Sequence, residues 1–158
     1  MNKRNIILIG MPGAGKSSVG VILAKVLGYE FIDTDLVIQH REKRLLREII
    51  ADEGNEGFLA IENEVNATLE ANKSVIAPGG SAIYGIGTIV YLKLSYEDLA
   101  KRLGNLKGRG VVLKEGQTLK DLYDERSKLY EQYAEITVDE SGKDIQGTIL
   151  ALREQIGM

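Results

Sequence analysis

The sequence predicts a parallel α/β sandwich folded as one domain, and three observations carry that expectation. Short apolar, β-branched runs alternate with stretches of helical periodicity. The first run, Asn5 to Ile9 (NIILI), is continuously apolar after its asparagine, as in a strand buried on both faces. The 158 residues suffice for a single core without staples, and the chain has no cysteine, which excludes disulfides and thiolate metal sites.

The elements follow in chain order. A glycine-rich turn leads from NIILI to Val19, Ile22, Leu23, Val26 and Leu27 at helical spacing, and Gly28 closes that helix. Tyr29–Ile32 reads as a second strand. Residues 36–53 read as a charged helix broken near its middle. Residues 55–72 read as a longer helix with Phe58, Ile61, Val65 and Leu69 on one stripe. Ser74–Ala77 is a third strand, ending in Pro78-Gly79-Gly80-Ser81, and Thr88–Leu92 is a fourth. Ser95 with Asp98 resembles a capping box opening a helix to about Leu103. Residues 104–117, with four glycines, read as a mobile loop. Thr118 with Asp121 opens a helix to about Tyr133, Ile136–Val138 is a fifth strand, and a last helix starts from Asp144. Only Gly79 to Gly87 separates the third and fourth strands. A parallel crossover normally takes roughly a dozen residues or more. Either a tight extended loop joins these strands, or a crossover helix has been deleted.

The formal net charge is −3 and the pI is near 5.3. No basic stripe is visible, so no nucleic-acid partner is expected. No apolar run approaches the ~18 residues of a membrane span. The first apolar run leads into the glycine turn rather than a cleavage site, so no signal peptide is expected either. The expectation is a cytoplasmic protein working as a monomer.

The chemistry centres on Gly10-Met11-Pro12-Gly13-Ala14-Gly15-Lys16-Ser17, which matches G-x-x-x-x-G-K-S between a strand and a helix. Glycines let backbone amides converge on phosphate oxygens, and the following helix presents its positive end to the same anion. Gly13, Ala14, Gly15, Lys16, Ser17 and Ser18 are therefore the candidate ATP-binding residues. Lys16 reaches the β/γ-phosphates and Ser17 is placed to ligate Mg²⁺.

Asp33 and Asp35 fall at the end of the second strand, where residues two apart face the same way. One carboxylate suits the metal, the other a substrate hydroxyl; alternatively Asp35 only caps the next helix. Gly79 and Gly80 permit close approach of a ligand, or form a simple turn. Glu62 lies on the apolar stripe of its helix, either as a ligand-side ion pair or as an edge carboxylate reaching solvent. Arg126 falls within the stripe Leu122, Tyr123, Tyr130 and Tyr133, and wants an anion: a substrate carboxylate, a phosphate or a structural partner. Arg109, between two glycines, could stabilise transition-state charge from a closing loop, or be a solvated loop charge. Arg102 could stack on adenine or sit in solvent. His40 is given no chemistry.

Taken together, GMPGAGKSSVG, FIDTD, VIAPGG, TIVYLKLS, KGRGVVL and ERSKLYEQYA resemble shikimate kinases, a family of nucleoside-monophosphate-kinase-like P-loop enzymes. The likeness runs over nearly the whole chain. It implies a three-layer P-loop sandwich with a five-stranded parallel sheet in the order 2-3-1-4-5. It implies transfer of the ATP γ-phosphoryl group to the 3-hydroxyl of shikimate, with a substrate-binding helical region at about 34–62 and a lid at about 104–117. By the resemblance, Lys16, Asp33, Asp35 and Arg109 are catalytic, and Ser17 and Asp33 hold Mg²⁺. Arg102 and Arg109 belong to the ATP site. Asp35, Gly79, Gly80 and Arg126 bind the acceptor, Arg126 through its carboxylate. The chain departs from the family at Leu59, where an arginine of the carboxylate clamp is expected, at Ser81 in place of a third glycine, at Gly110-Val111-Val112 after the lid arginine, where Pro-Leu-Leu is usual, and in lacking the helix expected between the third and fourth strands. The competing readings are a kinase for another hydroxylated acid, a nucleotide kinase, and a non-catalytic ATP-binding module.

Overall fold

The computed structural model describes residues 5–78, 86–104 and 115–157. Its elements are β1 (Ile6–Ile9), α1 (Lys16–Leu27), β2 (Glu30–Asp33), α2 (Thr34–Glu42), α3 (Leu46–Thr68), β3 (Ser74–Ala77), β4 (Thr88–Lys93), α4 (Tyr96–Gly104), α5 (Leu119–Tyr133), β5 (Ile136–Asp139) and α6 (Ile145–Ile156). The strands form one five-stranded sheet in the order β2-β3-β1-β4-β5, and each neighbouring pair is parallel. The expected sandwich and the strand order implied by the resemblance are both present.

Alternation along β1 divides the core. Ile6 and Leu8 pack with Val19 and Leu23 of α1 and Ile149 and Leu152 of α6. Ile7 and Ile9 point the other way, to Leu99 and Leu103 of α4 and Leu122 and Tyr130 of α5. A smaller cluster of Ile38, Ile49, Phe58 and Val65 joins α2 to α3. All four residues of β1 and of β3 are buried, as expected for parallel strands covered on both faces.

The boundaries differ from expectation in two places. The charged helix begins at Thr34 and breaks after Glu42, where Lys43 adopts a left-handed conformation with φ 55. The next helix bends at Gly54 (φ 74) and ends at Thr68, short of residue 72. Asn5 explains that early end. Its side-chain Nδ2 donates to the carbonyls of Ala71 and Ile86, both at 2.8 Å, and its Oδ1 accepts from the Ser74 amide at 3.1 Å. The chain must leave the helix for Ala71 to meet this fully buried side chain. Gly87 crosses the same residue so closely that a Cβ there would lie 2.4 Å from the Asn5 carbonyl oxygen. The entries to β3 and β4 are thus tied to one asparagine. Most of the short connection between them lies outside the described residues.

Candidate active site

The site forms at the carboxyl end of β1, where β3 and β4 lie on opposite sides of it and an open parallel sheet offers a crevice. The glycine-rich loop leaves β1 there and feeds α1. Gly15 occupies the N-cap position of α1 with φ 83, which favours glycine, and no side chain caps the helix. The first amides of a 12-residue helix are therefore left to an incoming anion.

Lys16 opens α1 and is only 9% exposed. Its Nζ donates to the Gly10 carbonyl, so the ammonium folds back over the loop. Burial pushes this ammonium down to about 8, against the pull of Asp35, Glu62 and Asp33 and with the push of Arg126. That influence brings together residues from four elements: the start of α1, the β2–α2 junction, α3 and α5.

Asp33 ends β2 and faces two ways. Its Oδ1 accepts from the Asp35 amide at 2.9 Å and caps α2, while its Oδ2 accepts from the Ser17 hydroxyl at 3.4 Å. The acidic pair does not share one extended strand, contrary to expectation. The strand stops at Asp33, Asp35 lies in the first turn of α2, and Asp33 rather than Asp35 is the cap. The two carboxylates still influence one another: burial first, and the charge of Asp33 second, raise the Asp35 carboxyl, while Lys16 draws it back. Thr34, fully buried between them, donates from Oγ1 to the Ala77 carbonyl at 3.3 Å and ties this corner to β3.

Glu62 is 3% exposed and faces Lys16 and Tyr130, so the solvent-reaching alternative is excluded. Arg126 is half-buried on α5, beside the Tyr130 hydroxyl. α5 is positioned by Tyr123, whose hydroxyl donates to the Leu94 carbonyl at 2.7 Å, and by Tyr130 packed on Tyr91 with ring centroids 5.2 Å apart. On the far side of the loop, Arg102 of α4 donates from Nη1 to the Gly13 carbonyl at 3.1 Å, so it holds the loop backbone rather than projecting into solvent. Gly79, Gly80 and Arg109 lie outside the described residues.

Sequence reasoning passed over Glu140, directly after β5. It is buried, and together with Gly15, Ser18 and Arg102 it lines a cavity of about 190 Å³ beside the loop. The available signal was its position, a carboxylate at the carboxyl end of a parallel strand.

Ser17 and Asp33 place two hard oxygen donors together at the mouth of the loop. That set suits Mg²⁺, which takes one or two protein oxygens and completes its shell with phosphate and water. A phosphate loop on this parallel sheet, with a buried lysine and a carboxylate facing its serine, defines a P-loop phosphotransferase. The shikimate kinase family model matches residues 12–156. A shikimate kinase of Thermobifida fusca is 39% identical over 145 residues, covering 85% of this chain and 84% of that one. The structure of the Acinetobacter baumannii shikimate kinase in complex with shikimate superposes with a TM-score of 0.78 at 34% identity, over 96% of this chain and 89% of that one. The Aquifex aeolicus shikimate kinase superposes with a TM-score of 0.80 at 27% identity, over 97% and 96% of the two chains. The chain belongs to the shikimate kinase family. Among the described residues, no helix is long and apolar enough to cross a membrane.

Proposed function

We propose that this protein transfers the γ-phosphoryl group of ATP to the 3-hydroxyl of shikimate. The observation that carries the reading is the placement of Lys16. It is buried where the phosphate loop meets the cluster of Asp35, Glu62 and Arg126, so one cation serves both the phosphate and the acceptor side.

The loop amides from Gly13 to Ser18 cradle the triphosphate. Lys16 leaves the Gly10 carbonyl for the transferring phosphoryl oxygens, a stronger, charge-assisted partner. Ser17 and Asp33 would hold Mg²⁺, which would supply positive charge to offset that of the triphosphate. Asp35 orients the acceptor hydroxyl and takes its proton as the oxygen attacks phosphorus and the bond to ADP breaks. A carboxylate with a raised pKa is the better base for that step. Arg126 receives the acceptor carboxylate, and Glu62 holds a counter-charge in the same buried cluster. The resemblance supplies Gly79 and Gly80 as the acceptor's backbone contacts and Arg109 as the charge-stabilising group of a lid at about 104–117. The helical region at about 34–62 forms the acceptor side. We read the enzyme as a cytoplasmic, single-domain monomer.

A coupled assay of ADP release tests the reading with shikimate, with nucleoside monophosphates and without acceptor. Turnover dependent on shikimate supports it. Turnover with nucleoside monophosphates instead makes the protein a nucleotide kinase, and no acceptor-dependent turnover leaves an ATP-binding module.

A further inference from the structure

The cavity beside the phosphate loop shares Gly15 and Ser18 with the loop, and none of its lining belongs to the cluster of Asp35, Glu62 and Arg126. In an in-line transfer the γ-phosphate faces the acceptor, so the nucleoside end of the nucleotide must run the other way. This cavity, bounded by the loop, Arg102 of α4 and the turn from β5 into α6, offers room for that end. Its volume, about 190 Å³, falls below the roughly 300–1,000 Å³ of a whole-ligand pocket and suits a flat heterocycle with its sugar outside.

Its polar wall is unusual. Glu140 is 5% exposed, and among the described residues its Oε2 has no hydrogen-bond partner. The Glu140 amide is anchored to the Lys93 carbonyl at 2.8 Å, so the backbone is fixed while the carboxyl group is left to find a partner. The charge of Arg102 acts on it, while Arg102 itself donates through Nη1 to the Gly13 carbonyl. A buried carboxyl group without a full set of partners is costly, and the cost is relieved when a ligand brings a donor. We infer that Glu140 is a specificity residue for the nucleotide base, accepting a hydrogen bond from the amino group that marks adenine. The inference rests on the phosphate-loop reading above and adds to it the group that selects the base.

Purine riboside 5′-triphosphate differs from ATP by that amino group alone. Calorimetry with Mg²⁺ and no acceptor, on the whole chain, measures both nucleotides without needing turnover. The expected result is that the protein binds ATP about tenfold more tightly than purine riboside triphosphate, the worth of one hydrogen bond. Glu140→Met should lower ATP affinity to that of the analogue, whose own affinity stays the same. Glu140→Gln, which keeps an acceptor oxygen, should retain most of the preference and shows that the position tolerates substitution. A preference that survives in Glu140→Met, or an equal loss for both nucleotides, overturns the inference while leaving the phosphate loop intact. Failure of both nucleotides to bind the unaltered protein overturns the phosphate-loop reading and this inference together.

Discussion

The Ser17 hydroxyl and the Asp33 carboxylate, 16 residues apart in sequence, meet at 3.4 Å across the edge of the sheet. The contact joins the first turn of α1 to the last residue of β2. An ion shared by these two side chains, as proposed, would depend on both elements keeping their register. Ser17 is exposed and its side chain caps nothing, so Ser17→Ala should leave the unfolding midpoint unchanged. It should lower kcat by roughly 10²-fold, the usual loss for one ligand of developing charge. Stopped-time assays over a Mg²⁺ titration, with a parallel thermal melt, check both halves. A kcat within twofold of the unaltered enzyme would remove Ser17 from the reaction.

The buried ammonium of Lys16 gives a pH signature in the free protein. Its folded value, about 8, lies below the ordinary lysine value of 10.5. Between these values the unfolded chain binds more protons than the folded one, so stability rises with pH across that window. Below about pH 8 both states are protonated, and the folded state carries the full cost of burying the charge. Lys16→Met should abolish phosphoryl transfer and flatten this dependence. Denaturant unfolding at pH 7.5 and pH 9.5 measures the slope; a variant that keeps it would assign the titration to another group.

Glu140 shows the opposite sign. Burial raises its carboxyl group from 4.5 to about 7, so the folded state holds the proton that the unfolded state has lost, and stability falls as pH rises through that range. Glu140→Gln should therefore melt higher than the unaltered protein at pH 8 and close to it at pH 5. Melting curves at the two values without nucleotide test this, and equal shifts at both would indicate a packing effect alone.

Leu59 is 38% exposed on α3, next to buried Phe58, where the family resemblance calls for an arginine of the carboxylate clamp. The position is open enough to accept a long cation at little cost in stability. Leu59→Arg should tighten shikimate binding by about tenfold, as expected for one added charge-assisted hydrogen bond. Calorimetry decides, and unchanged affinity would point to an acceptor without a carboxylate at that place.

Asn5→Ala should be among the most destabilising single changes. It strips partners from the carbonyls of Ala71 and Ile86 and from the amide of Ser74. A loss of about 3 kcal/mol in unfolding free energy is expected. A loss under about 1 kcal/mol, a typical surface effect, would mean that water replaces the side chain.

Much of the architecture was legible because it rests on short-range signals. The apolar runs at 5–9 and 74–77 appear as strands, and Gly28 and Thr118 bound helices as their chemistry suggests. The phosphate loop was legible for the same reason, since its spacing encodes a backbone shape. What escaped depends on tertiary partners. The helix end at Thr68 is set by Asn5, more than sixty residues earlier, and the burial of Glu62 by α5 and the Lys16 end of α1. The acidic pair was placed on one strand because period-two reasoning cannot see that Asp33 caps a helix begun at the next residue. Glu140 was missed because a carboxylate after a strand acquires meaning only once the loop, α4 and α6 close around it.

Because a single side chain moors the segments entering β3 and β4, a fault at that one position would loosen both neighbours of the central strand at once.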